Sequence, residues 1–363
     1  MSVEANAAVY PVSRSANAGG LFSAALILAT VSPFFGIALT PKYPAIIPGV
    51  AFLLLLGSTH VMATFYLLMD ETVRRFFRSH PAQMIAVPCA LFGTGLLLFS
   101  HAGSTVFVAA ILLFYLWQTW HFGAQNIGVA SFISLNDRGR PLARNEKITI
   151  RIGVVVGMFG VLKAMAPSYM LGEQYVPLGP VTGSVIEFLY RAGLVAAVPV
   201  TGYALWLSAG ALLKRQYLFG IGIFLSVTFL FTMYLTNDYT LGFISFVGAH
   251  GLQYLVFLFT HSFGISKESF AKRRLSIGII AAPMALLIFM VAGRLIWRSS
   301  FADAPGGALP LAITIVLSLT LVHFWVDQFL WRMKNKERAA WMRARFGYVL
   351  ARTSAGPRQA NPV

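Results

Sequence analysis

The sequence predicts an all-α polytopic membrane protein, a bundle of about ten transmembrane helices with both termini in the cytoplasm. Three observations predict it. Of 363 residues 57% are hydrophobic and 11% charged, with mean hydropathy +0.72, whereas soluble domains carry roughly 25% charged residues. Apolar runs long enough to cross a hydrocarbon core recur from one end to the other. Finally, the 28 Lys and Arg, against 12 Asp and Glu for a net charge of +16, gather in every second connection, as the positive-inside rule requires of cytoplasmic loops. A soluble enzyme is excluded. The charge, which on a soluble chain would point to nucleic acid, is an orientation signal in a multi-pass protein of bacterial inner-membrane type.

Residues 1–20 are polar and mixed, without a basic flank, short apolar core and A-x-A site, so they read as a cytoplasmic tail and not as a removed signal peptide. The transmembrane domain then runs from 21 to 331. Its spans are placed near 21–40, 45–69, 82–100, 105–134, 152–171, 192–213, 217–236, 240–264, 275–297 and 308–331. The fourth exceeds a perpendicular crossing and should tilt or project from the membrane. Each even-numbered span is followed by base: Arg74, Arg75 and Arg78; Arg138 to Arg151; Lys214 and Arg215; Lys267 to Arg274; and Arg332 onward. Between the fifth and sixth spans, GSVIEFLYR at 183–191 carries Glu187 and Arg191 four apart, which predicts a short interfacial helix with its own ion pair. Lys163, in the fifth span, is either a snorkelling side chain or a functional one. The last segment, 332–363, mixes base with Trp341, Phe346 and Tyr348, as either a helix on an anionic membrane surface or a solvated tail would. The single cysteine, Cys89, permits neither an internal disulfide nor a thiolate metal cluster.

Ionisable side chains inside a bilayer are costly and mark function. His80 and His101 fall at loop edges. The other five histidines lie within even-numbered spans: His60 in the second, His121 in the fourth, His250 and His261 in the eighth, and His323 in the tenth. At 1.5 Å per residue, they stand roughly 15, 20, 22, 6 and 12 Å above the basic flank. Four of them therefore share a depth. Helical spacing adds company on the same faces: His121 with Gln125, His323 with Asp327, His60 with Thr64, and His250 with Tyr254, Phe257 and His261. Imidazole ligands usually pass their second N–H to a carboxylate, carbonyl or amide, which gives Asp327, Gln125, Gln253, Thr64 and Tyr254 the part of orienting partners. Asp327 is also a potential ligand.

The expected site is a metal ion held by His60, His121, His250 and His323, with His261 as a further ligand or a gate. Imidazole and carboxylate without thiolate suit iron, copper or zinc, histidine-rich sites with open positions suit non-haem Fe(II) above all, and a site within the bilayer receives a small lipophilic substrate from the lipid itself. An electron donor is a further possible partner. No H-E-x-x-H motif accompanies the histidines, against a zinc protease. Two other readings stay open: bis-histidine haem in electron transfer, and a transporter or channel in which the histidines, Asp327 and Lys163 relay protons or ions.

The stretches WHFGAQN (120–126) and YLVFLFTHS (254–262) resemble short pieces of the integral-membrane carotene dioxygenases of the Brp/Blh type. That resemblance implies an all-helical protein, one non-haem iron bound by histidines from several spans, and oxidative cleavage of a carotene to retinal. It also implies His121 and His261 as ligands, with His60 matching the family's first histidine. The chain departs from the family at two places, reading GSTHVMATF where the family has Pro-His-Gly-x-x-Asp, and His261-Ser-Phe-Gly-Ile where it has His-Ser-x-x-His.

Overall fold

The structure is a computed structural model and describes residues 18–39, 61, 64, 67–100, 105–164, 180–237, 239–266, 311–331 and 336–350. Among these there is no strand. The helices are α1 (Ala18–Leu39), α2 (Glu71–Ser79), α3 (Val87–Phe99, continuing a π-turn at Ala82–Ala86), α4 (Thr105–Arg138) and α5 (Arg144–Ala164). They are followed by α6 (Pro180–Leu213), α7 (Tyr217–Thr228, extended by a 3-10 turn at Phe229–Tyr234), α8 (Tyr239–Ser266), α9 (Leu311–Leu330) and α10 (Lys336–Phe346). Eight of the ten expected spans coincide with helices. The second, 45–69, lies largely outside the described residues, and the ninth, 275–297, wholly so.

Among the described residues, six helical stretches are long and apolar enough to cross a membrane: α1, α3 with its π-turn, α4, α6, α7 with its 3-10 turn, and α8. Their outward faces show why lipid is the solvent. On α6, Phe188, Val195, Val198, Trp206 and Leu213 are all exposed, an apolar surface that water would not tolerate on a monomer. α7 and α8 instead sit in the middle, mostly buried, with α8 against α1 and α7 between α4 and α6. α9 packs along α3.

Without a hydrophobic drive between helices in lipid, close approach rests on small residues. Gly153, Gly157 and Gly160 lie along one face of α5 against Val227, Leu230 and Met233, and a Cβ at any of them would collide with those neighbours. That stripe seats α5 on the end of α7. At the basic end, Arg138 holds Glu146 through two hydrogen bonds of 2.6 and 2.8 Å, and the Ala143 N–H adds a third at 2.6 Å. The turn from α4 to α5 is thereby closed, with Gly139 at φ +68° as the left-handed residue that ends α4.

Two expectations are corrected. Residues 183–191 do not form a separate interfacial helix but the first turns of the continuous α6. Their charges need no interface of their own, because Glu187 accepts from Arg191 at 2.8 Å and pairs with Lys163 of α5. Lys163 is thus an inter-helix ion-pair partner. The segment around α10, in turn, is not a solvated tail, because its apolar side packs against the bundle. Trp341, Met342, Phe346, Val349 and Leu350 are buried, Phe346 joins the cluster of Phe22, Phe132 and Phe257, and the Tyr348 hydroxyl donates to the Thr260 carbonyl at 2.8 Å. Gly264 of α8 admits the Arg345 carbonyl where any side chain would block it.

Candidate metal centre

Three of the five expected histidines meet. His121 comes from α4, His250 from α8 and His323 from α9, and one imidazole nitrogen of each lies within 4.8 Å of the others. The ring centres of His121 and His250 are 5.2 Å apart and those of His121 and His323 5.0 Å. All three are buried, His250 and His323 completely. Phe122 lies 4.0 Å from the His250 ring and Phe324 4.8 Å from the His121 ring, centre to centre, so the walls are apolar. Among the described residues this is the one group of three or more His, Cys, Asp or Glu close enough to share an ion.

The periodicity of each helix aims these rings. On α8, the stripe His250, Tyr254, Phe257 and His261 is buried along its whole length. On α9, the four-residue step from His323 brings Asp327 to the same side, with Oδ2 at 3.8 Å from His323 Nε2 and 3.9 Å from His121 Nε2. The other carboxylate oxygen has hydroxyl partners. Oδ1 accepts from Thr64 and from the Tyr254 hydroxyl, each at 3.3 Å.

Thr64 links the His323 ring to Tyr254 and Asp327. Its Oγ1 lies 2.5 Å from the Tyr254 hydroxyl and 2.8 Å from His323 Nδ1. A threonine hydroxyl has one proton and two acceptor lone pairs. Donation from His323 Nδ1–H to this hydroxyl would leave the Nε2 lone pair of His323 turned to the centre. This is the arrangement in which a second N–H fixes a ligating ring.

Gln125 and Gln253 act differently from the expectation. Gln125 Nε2 donates to the His250 carbonyl and to Gln253 Oε1, both at 3.3 Å, while Gln253 Nε2 donates to Thr30 Oγ1 at 2.8 Å and Asn126 Oδ1 at 2.9 Å. They tie α1, α4 and α8 together through a buried amide network and hold the backbone of His250, not its ring.

His261 stands apart. Its Nε2 is 3.4 Å from Asp70 Oδ2, the acceptor that also takes Trp341 Nε1–H at 3.1 Å and Arg345 Nε–H at 3.0 Å. Asp70 caps α2 through the Thr72 N–H at 2.9 Å. Burial acts to raise its pKa, but the bonds from His261, Arg345 and Trp341 outweigh it and hold the carboxyl well below the usual carboxylate range. The sequence reading missed Asp70. The signal present there, Asp before Glu-Thr at the head of an amphipathic helix, points to a cap and says nothing of partners on α8 and α10. His60 and His101 lie outside the described residues. His80 caps the end of α2, with Nδ1 2.9 Å from Ser79 Oγ and its ring against Phe76, well apart from the triad in its contacts.

The donor set fits an ion. Imidazole nitrogens bound at about 2.0–2.1 Å stand roughly 3–3.5 Å from one another, so side-chain rotation closes the remaining gap. A carboxylate as deeply buried as Asp327, 2% exposed, needs a proton or a cation nearby, and a divalent ion at the triad meets that need. The chain finds no match among protein-family models, curated proteins or solved structures.

Proposed function

We propose that the chain is a multi-pass membrane oxidoreductase that holds one non-haem iron(II) on His121, His250 and His323 and oxidises or cleaves a lipid-soluble substrate such as a carotenoid or another isoprenoid. The convergence of three buried imidazoles from three helices, beside a carboxylate at 3.8–3.9 Å, carries this reading. Iron bound by imidazoles with coordination positions left open supplies the redox chemistry needed to activate dioxygen. The residues of the chain do the rest. Thr64 fixes the His323 ring, Asp327 balances the charge, and Phe122 and Phe324 keep water away. Thiolates are absent from the set, and among the described residues no glutamate joins it as the base a hydrolytic zinc would use.

Bis-histidine haem fits less well. Axial ligands face each other across the macrocycle, whereas these rings meet edge to face at 5.0 and 5.2 Å, interplanar angles 71° and 75°, with no gap for a porphyrin between them. In the same reading the chain has ten spans and its basic connections and α10 face the cytoplasm.

Elemental analysis and an optical spectrum of the protein purified after iron reconstitution test the proposal. Stoichiometric iron without a Soret band is expected, with loss of metal in His121→Ala, His250→Ala and His323→Ala and retention in His80→Ala. Protein that stays metal-free, or triad variants that bind as the parent does, overturns it, and the first outcome would favour a proton relay through Thr64, Tyr254 and Asp327.

A further inference from the structure

The triad is buried, and a line of oxidisable aromatic rings leads from it to α10. The Tyr254 ring lies 5.9 Å from the His323 ring, the Trp331 ring 6.0 Å from Tyr254, and the Trp341 ring 6.0 Å from Trp331, centre to centre. Trp341 lies beside the exposed part of α10 that carries Arg343. We propose that Trp341 and Trp331 form an electron relay between the α10 end of the bundle and His323, with the Tyr254 ring as the last bridge. This rests on the metal reading of the triad and names what that reading leaves open, the entry point of electrons.

Three features of the chain favour it. Electron tunnelling weakens steeply with distance, so two short steps through indoles outrun one long jump. Indoles are among the side chains most readily oxidised by one electron, and both sit in series rather than scattered. Asp70 is placed to stabilise the transient positive charge: its carboxylate accepts the Trp341 N–H at 3.1 Å, inside a buried site where such an interaction is strong. If dioxygen at the triad withdraws an electron from iron held there, the deficit would be made good from Trp331, then from Trp341, and finally from a one-electron reductant at the α10 face, which ends oxidised by one electron while both indoles are restored and the iron returns to the ferrous state. The second tryptophan of α9, Trp325, is directed elsewhere, its Nε1–H donating to the Gln83 carbonyl at 2.7 Å, and it serves as the control.

The relay can be run backwards. In a Cys89→Ser background, Arg343→Cys carries a tethered ruthenium photo-oxidant, and a laser flash injects an oxidising equivalent next to Trp341. In metal-free protein the charge should move inward to Trp331, and its recombination with the ruthenium should become at least about tenfold faster in Trp331→Phe, a change worth roughly 1.4 kcal/mol in barrier. Trp341→Phe should cut the yield of the tryptophan radical by a similar factor, while Trp325→Phe should leave both unchanged. Helicity and elution volume check that each variant is folded. Unchanged lifetime in folded Trp331→Phe, or unchanged yield in folded Trp341→Phe, overturns the relay. A second arm uses protein loaded with ferrous iron, in which the flash should oxidise the iron in the parent but not in the two relay variants. If the parent binds no iron, the metal reading fails while the first arm still judges the relay.

Discussion

At the scale of single residues, the hydroxyl of Thr64 is the smallest group on which the candidate centre depends. It is 1% exposed and touches Tyr254, His323 and Asp327 at 2.5, 2.8 and 3.3 Å. Thr64→Val keeps the shape and removes the acceptor for His323 Nδ1–H, so the ring loses its fixed tautomer. Iron affinity, measured by chelator competition, should fall about 10–100-fold, the usual cost of losing such a partner. An affinity equal to the parent's would show that the ring is oriented by packing alone. The inward histidines were legible in the sequence because a helix has a fixed rise and a fixed period: counting from the basic flanks gave depth, and four-residue steps gave Asp327 beside His323. The partner of Thr64 was less so. Spacing linked it to His60, whereas the structure joins it to residues 190 and 259 positions away, contacts that no helical period encodes. Asp70 was illegible for the same reason, since its partners His261, Trp341 and Arg345 lie on α8 and α10.

At the scale of elements, α5 depends on the glycine face that meets α7. Gly157 faces Leu230 with no room for a Cβ, so Gly157→Leu must push the helices apart and leave gaps along the whole contact. A loss of about 2–4 kcal/mol is expected from overpacking together with lost contacts, seen as a lower unfolding midpoint in detergent. Gly183→Ala on α6, where nothing lies within 4 Å of an added Cβ, should have no such effect. Equal midpoints for the two variants would mean that α5 is not seated by this stripe. The positions of eight helices could be read from hydropathy, because lipid demands long apolar runs whatever the tertiary contacts are. Their ends could not. The sequence reading set 183–191 apart as a short interfacial helix because Glu187 and Arg191 stand four apart, whereas the helix runs on through them and Lys163 on another helix joins the pair. Likewise α10 carries enough base to look like a surface element, while its apolar side, Trp341, Met342 and Phe346, faces protein.

At the scale of the whole molecule, the proposed orientation rests on the net charge of +16 and its gathering in alternate connections, and two buried carboxylates near basic side chains tie charge to stability. The orientation has a direct check: in a Cys89→Ser background, Arg140→Cys should react with an impermeant maleimide only in inverted vesicles and Asn237→Cys, between α7 and α8, only in right-side-out ones. The opposite pattern would place the basic connections outside. Glu146 closes the α4–α5 turn. Burial works to raise its pKa, but its bonds from Arg138 and Ala143 hold it below the ordinary glutamate range. Asp70 gathers α2, α8 and α10, and is held below the aspartate range by His261, Arg345 and Trp341 despite its burial. For a carboxyl whose pKa is lower in the folded than in the unfolded chain, the folded state binds fewer protons. The resulting stabilisation is complete above the unfolded value, about 4, and drains away as pH falls toward the folded one. The unfolding midpoint in detergent should therefore be flat across neutral pH and decline below about pH 4. Glu146→Gln and Asp70→Asn should each lower the neutral midpoint and make the acid decline shallower, because the proton-linked part is already gone. A variant that is less stable at neutral pH yet falls with the same slope in acid would show that its carboxylate acts through packing and not through its charge.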